Sequence, residues 1–143
     1  MFHVKHSFLD AWRRYQKALR QRNAALRQNE PDSQVQAWDN ELVEHGERVD
    51  QLRRDFLDEY LPLFESIIGE FLTFESICSY KRGWSANVGL HEALADSWAR
   101  DRAFGSTQVG PHRADLQIQV QDRRARHRVS RGQQKMLAAA LVI

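Results

Sequence analysis

Val129-Ser130-Arg131-Gly132-Gln133-Gln134-Lys135, running on into Met136-Leu137-Ala138-Ala139-Ala140-Leu141, reads as a loop that turns into a helix. The Ser130 hydroxyl can accept a backbone N–H of the first turn. Strong helix formers follow, from Gln133 to the three alanines. A helix start presents free N–H groups and partial positive charge, which suits a phosphate. Gly132 allows close approach of a ligand to the backbone, Arg131 and Lys135 add charge, and Gln133 adds a neutral donor. The alternative is an ordinary capped helix that binds nothing.

Working back from there, Asp122 to Arg126 reads as a turn and His127–Val129 as a short strand before the helix. Leu116, Ile118 and Val120 alternate with glutamines, the pattern of a half-exposed strand. Gly110-Pro111 is a loop, and Leu90 to about Arg102 a helix with Gly105 as its stop. Leu72 to Lys81 alternates as a strand, and Arg82-Gly83 turns the chain.

The first half of the chain carries a different period. Phe8, Trp12, Tyr15, Leu19 and Leu26 step by four and three, with Arg22 filling the missing step, on a helix capped by Ser7 and running to about Gln28. Asn29 to Ser33 is a turn by composition. A second helix, capped by Ser33, carries Trp38, Leu42, His45, Val49, Leu52 and Phe56 and continues through Tyr60, Leu63, Phe64, Ile67, Ile68 and Phe71. Gly46 weakens it slightly, and Pro62 should kink or divide it. Two apolar seams joined by a short turn predict an antiparallel hairpin, with Trp12 and Trp38 facing each other.

The net charge of +2 conceals three blocks. Residues 1–28 hold seven Lys/Arg against Asp10 alone, residues 29–75 three against thirteen acids, and residues 76–143 eleven against five. Salt bridges across a solvated hairpin explain the first two blocks. A nucleic-acid role for Arg13, Arg14, Arg20, Arg22 and Arg27 is the rival reading. The basic run Arg123, Arg124, Arg126, His127, Arg128 and Arg131 reads as a phosphate-facing surface or as a solvated hairpin turn. His112 and Arg113 sit in a loop before a strand, where functional side chains often lie. In the plainer reading Arg113 pairs with Asp115 and His112 caps.

A length of 143 residues predicts one domain, and 42% hydrophobic content is adequate for a core. A mean hydropathy of −0.64 fits exposed, charged helices. The longest apolar run, Met136 to Ile143, is too short to span a bilayer. Cys78 is the lone cysteine, so there is no disulfide framework, and a reduced, cytoplasmic compartment is the default. The six histidines have no zinc spacing, and His45 reads as a core histidine.

Three stretches carry a resemblance. Ser130-Arg131-Gly132-Gln133-Gln134-Lys135 with its alanine/leucine helix resembles the signature motif of the RecF family of bacterial DNA repair ATPases. Val109-Gly110-Pro111-His112-Arg113-Ala114-Asp115-Leu116 resembles that family's Gly-Pro-His-Arg segment, and Ala18 to Leu26 its first arm helix. Val129 stands where leucine is commoner, and no G-x-x-x-x-G-K-[ST] occurs, so the chain resembles the middle and distal part of a RecF. The resemblance implies an α+β fold: a long antiparallel hairpin arm over 1–72, and a partial ABC-type ATPase α/β lobe over 73–143 carrying the signature helix. It implies ATP with Mg2+ held mostly by other segments, and a homodimer formed on ATP. Ser130, Arg131, Gly132, Gln133 and Lys135 would meet the γ-phosphate of the opposite subunit. His112 and Arg113 would lie in a loop near the ATPase core, and Arg123, Arg124, Arg126 and Arg128 would face DNA. It further implies binding of gapped or single-stranded DNA, help in loading RecA with RecR and RecO as partners, and support of replication and the SOS response. RecF is implied to be a weak DNA-stimulated ATPase, whereas this stretch alone should not hydrolyse ATP. The reading from another class is a stand-alone helical-hairpin interaction module without nucleotide.

Overall fold

The structure, a computed structural model, describes the backbone of residues 2–71, 76–120 and 123–124, and side chains over 7–66 and 78–117. It is α+β and mostly helical: α1 (Phe2–Arg27), α2 (Asp32–Gln36), α3 (Asp39–Phe71), β1 (Ser76–Lys81), α4 (Leu90–Phe104), a 3-10 turn (Pro111–Arg113), β2 (Asp115–Val120) and β3 (Arg123–Arg124). None of the described helices is long and apolar enough to cross a membrane.

The chain packs as two units, residues 1–53 with 82–114, and residues 54–81 with 115–143. The division between these units falls inside α3. The reason is visible in the first unit's core, where Leu90 and Leu94 of α4 pack with Tyr15, Leu19, Leu42, Val49 and Leu52 of the helical pair.

In that unit α1 buries Tyr15, Leu19, Arg22 and Leu26 of the expected seam, with Phe8 and Trp12 half-buried, and adds Ala11 and Ala18, which the spacing does not mark. Arg22 meets Asp39, and the Arg53 guanidinium lies over the Trp12 ring, so α1 and α3 run antiparallel. These pairings set Trp12 level with Arg53 and leave Trp38, which immediately precedes α3, near the level of Arg22, so the two rings are not face to face. Trp12 and Arg22 are ten residues apart on α1, about 15 Å at 1.5 Å per residue.

Helix α1 starts before Ser7, which lies inside it rather than at its cap. No breaker stands between Phe2 and Ser7. It ends in a left-handed residue, Asn29 (φ 52°), with Glu30 N–H bonded to Ala25 O and Asn29 N–H to Leu26 O. This is the paired closure that satisfies a helix's last carbonyls. Pro31, not Ser33, precedes the next helix; its fixed φ of −52° starts α2, which closes after one turn.

Gly46 serves packing rather than weakening α3: a Cβ there would lie 2.5 Å from Leu90 Cδ2 and 3.2 Å from the Tyr15 ring. The bare backbone is what lets α4 dock on α3. Leu90 N–H also donates to Glu47 Oε1 at 3.2 Å, so α3 supplies the cap that Gly89 lacks. Gly105 (φ 61°) stops α4 as the sequence predicts.

In the second unit α3 continues through Pro62 as one element. Pro62 and Asp58, whose carbonyl loses its N–H partner, are both exposed, so water can serve that carbonyl. Phe56, Tyr60 and Phe64 stack at 5.3 and 6.4 Å, and Phe64 is fully buried. The sheet is antiparallel in the order β1-β2-β3, with Cys78 opposite Ile118 and Tyr80 opposite Leu116. Arg123 and Arg124, expected in a turn, pair as strand β3 with Val120 and Gln119. Burial, with Glu65 adding to it, pushes the half-buried Cys78 thiol up to about 11.

Candidate functional site

Of the residues the sequence marks, His112 and Arg113 are described in full. Ser130, Arg131, Gly132, Gln133 and Lys135, with Arg126 and Arg128, lie outside the described residues. Arg123 and Arg124 are described as backbone in β3.

The loop from Gly105 to Ala114 joins α4 to β2, and almost every turn of it is tied down. Gly110 takes a positive φ of 128° that side chains disfavour, and its N–H donates to Gly83 O at 3.2 Å. A Cβ at Gly110 would lie 2.5 Å from the Tyr15 hydroxyl, and one at Gly83 2.1 Å from Gly110 O. The Gly-Pro pair therefore marks a place where two loops and α1 meet at backbone distance. Pro111 then starts the 3-10 turn, and its carbonyl accepts from Arg53 Nη1 at 2.7 Å.

His112 is held at both nitrogens. Its Nε2 lies 3.1 Å from Thr107 O, which can only accept, so Nε2 carries the proton. Nδ1 is then the acceptor of the Tyr15 hydroxyl at 2.6 Å. Burial lowers the His112 pKa below the usual histidine value, against the bond to Thr107, which works the other way. Burial likewise raises the Tyr15 pKa, so the hydroxyl stays protonated and able to donate. A neutral imidazole with both nitrogens engaged has no lone pair free to act as a general base. The expected capping role is close to what it does. Arg113 is exposed, and its Nη1 reaches Gln108 Oε1 at 3.3 Å rather than forming the expected pair with Asp115.

Behind this loop lies a buried ionic cluster. Arg22 is fully buried; its Nε donates to Asp39 Oδ1 at 2.7 Å, and its Nη1 to Asp101 Oδ2 at 2.7 Å and Thr107 Oγ1 at 2.8 Å. The Thr107 hydroxyl in turn donates to Asn23 Oδ1 at 2.7 Å, and its N–H donates to the same oxygen. Asp101 Oδ1 accepts the Gln108 N–H at 2.8 Å. Asp101 is as buried as Arg22, and the Trp98 ring lies 5.8 Å from the Arg22 guanidinium. A charge taken out of water survives only when paired and hydrogen-bonded. Here one guanidinium from α1 is met by carboxylates of α3 and α4 and by the loop's Thr107.

The expected nucleic-acid face therefore loses Arg22 to the interior, and Arg14 is engaged by Asp10 on its own helix at 3.1 Å. Ion pairs that bridge the basic and acidic blocks do exist, but among the described residues the one joining α1 to α3 is this pair of buried Arg22 with Asp39. Arg102 of α4 pairs with Asp32, and Arg82 with Asp50. Sequence reasoning missed Arg22, Asn23, Asp101 and Thr107 as a group. The available signal was Arg22 itself, a cation on an apolar seam that had to find buried acids.

The arrangement offers no nucleophile with an adjacent base. It is a rigid mount that fixes the Gly110–Arg113 turn to α1 through His112 and Thr107, and to α3 through Arg53.

No protein-family profile matches the chain. Its sequence is 43% identical over 145 residues to the DNA replication and repair protein RecF of Pseudomonas fluorescens, and 44% over 145 to that of Azotobacter vinelandii. It is 43% identical over 142 residues to that of Coxiella burnetii. These alignments take in 99–100% of this chain, which spans about 40% of the length of each relative. A structure of the recombination mediator protein RecF-ATPrS in the RecFOR pathway superposes with a TM-score of 0.87 at 23% identity, over 96% of this chain and 41% of that one. A second, RecF-ATP in the same pathway, gives 0.82 at 24% over 94% and 39%. At such identities the two structures speak for a shared fold.

Proposed function

We propose, on the premise that this chain belongs to the RecF family over the stretch it spans, that it works as part of a RecF-like DNA replication and repair protein. In this reading residues 1–72 serve as the arm and 73–143 contribute to an ATPase lobe. The partner segments would hold ATP and Mg2+. Ser130 and Gly132 would meet the γ-phosphate held by a second copy, with Arg131, Gln133 and Lys135 around it. ATP would therefore be read through dimerisation, and DNA retention, with Arg123, Arg124, Arg126 and Arg128 among its contacts, would follow the dimer. RecR and RecO are the proposed protein partners, and loading of RecA on gapped DNA the proposed outcome.

The observation that supports this reading best is the mount itself. The Gly110-Pro111-His112-Arg113 turn has no chemistry of its own, yet His112, Thr107 and Arg53 tie it to both long helices. A loop so anchored can transmit a displacement between the helical pair and whatever Arg113 meets. An isolated interaction module would have no use for such rigidity at a single turn.

The test is a chimera in which this chain replaces the matching segment of Pseudomonas fluorescens RecF. The proposal expects it to dimerise with ATP and not with ADP in sedimentation, and to retain gapped DNA in the ATP state. A chimera that folds, binds ATP and stays monomeric would contradict it.

A further inference from the structure

Beyond the buried seam, α1 presents an outward face of one sign. Arg13, Lys17, Arg20 and Arg27 are exposed, and at 100° per residue they fall within an arc of roughly 80° opposite Tyr15, Ala18 and Arg22. Asp10 is the helix's one acidic residue, and Arg14 occupies it. Among the described residues none of these four cations has an ion-pair partner, although α3 is rich in acids. The charge asymmetry between the two helices is therefore not consumed by bridges between them. The row from Arg13 to Arg27 extends about 21 Å at 1.5 Å per residue.

We infer that this row is a docking surface for the phosphate backbone of duplex DNA. The inference rests on the DNA-repair reading above for the partner and on the helix face for the place. Charge complementarity favours a polyphosphate over an acidic protein segment. A protein interface is centred on a cluster of aromatic or aliphatic anchors; this face offers one exposed apolar side chain, Leu9, a turn before Arg13, and between the cations stand Gln16, Gln21 and Ala24. A phosphate backbone needs only positive charge repeated along a line, and reads it without regard to base sequence.

The 143-residue chain would be titrated against fluorescein-labelled duplex DNA at several salt concentrations, beside Arg13→Gln/Lys17→Gln/Arg20→Gln and, separately, Arg123→Gln/Arg124→Gln. Glutamine keeps helix propensity, and circular dichroism checks the fold. Loss of three phosphate contacts should weaken binding at least ~10-fold at low salt and lower the log–log salt slope by about 3, equally for unrelated sequences. Wild-type binding that the α1 triple variant leaves unchanged would overturn this surface while the repair reading stands. Tighter binding of poly-glutamate than of DNA, lost in the triple variant, would overturn it in favour of a protein partner. Failure of the wild-type chain to bind any DNA would overturn this surface, and would leave the repair reading, in which DNA retention follows the ATP dimer, to the chimera test.

Discussion

Replacing Arg22 with methionine keeps the length and apolar stem of the side chain and removes its charge. The structure sets the size of the effect. Asp101 is fully buried and would lose its cation, Thr107 Oγ1 would lose a donor, and Asp39, partly exposed, could turn to water. Breaking a buried pair by removing one partner costs about 3–5 kcal/mol, because the other charge is stranded. Domains of this size are stable by about 5–15 kcal/mol in all, so Arg22→Met should remove about a fifth or more of the total. Urea unfolding of the 143-residue chain, followed by circular dichroism and by tryptophan fluorescence, reads the loss. The same argument fixes the double mutant: Arg22→Met with Asp101→Leu removes the stranded charge, so it should recover about 1–3 kcal/mol of the single loss. A single-mutant cost under about 1 kcal/mol, the range of an exposed site, would refute the buried cluster.

Gly46→Ala should destabilise by about 1–3 kcal/mol in the same assay, through the clash with Leu90 and Tyr15, whereas an exposed helical Gly→Ala would stabilise. His112 has its pKa lowered on folding, so the unfolded chain binds more protons just below the usual histidine value; stability should rise with pH through that window and fall as pH drops below about 6.5. In His112→Gln that acid-side loss should flatten in urea titrations from pH 5 to 7. Trp12→Ala should cost about 3–5 kcal/mol, since Trp12 packs on Phe8, Tyr15 and Arg53. Its coupling to Trp38→Ala should be under about 0.5 kcal/mol in a double-mutant cycle, because the two residues stand about 15 Å apart along the helical pair.

Much of this fold is legible in the residues. The four-three steps of Tyr15, Leu19 and Leu26, and of Leu42, Val49 and Leu52, name the core because helical geometry leaves those positions no other face. The glutamine alternation in β2 and the Gly105 stop are local effects and read locally. What escaped depends on contacts far apart in the chain. Gly46 looks like a weak helix residue until Leu90, 44 positions later, is seen to need its space. Arg22 looks like a member of a basic face until Asp101 and Thr107, brought in by α4 and its loop, make burial affordable. Ser33 is a better cap than Pro31 by side-chain chemistry, but the closure of α1 at Asn29 delivers Pro31 first. The Gly-Pro-His-Arg turn was legible as a loop by its composition; that His112 is a neutral strut was not, since Tyr15 lies 97 residues away.

The proposal that this stretch is part of a repair protein sensing ATP across a dimer is tested most directly at Ser130. In the chimera with Pseudomonas fluorescens RecF, Ser130→Arg puts a long cation where the γ-phosphate would sit and removes the helix cap. Sedimentation with ATP and with ADP, on the chimera and its variant, is the measurement. The account predicts that Ser130→Arg leaves ATP binding to the monomer nearly intact and abolishes the ATP-dependent dimer. A variant that dimerises with ATP as well as the unmodified chimera would make Ser130 an ordinary helix cap and contradict the account.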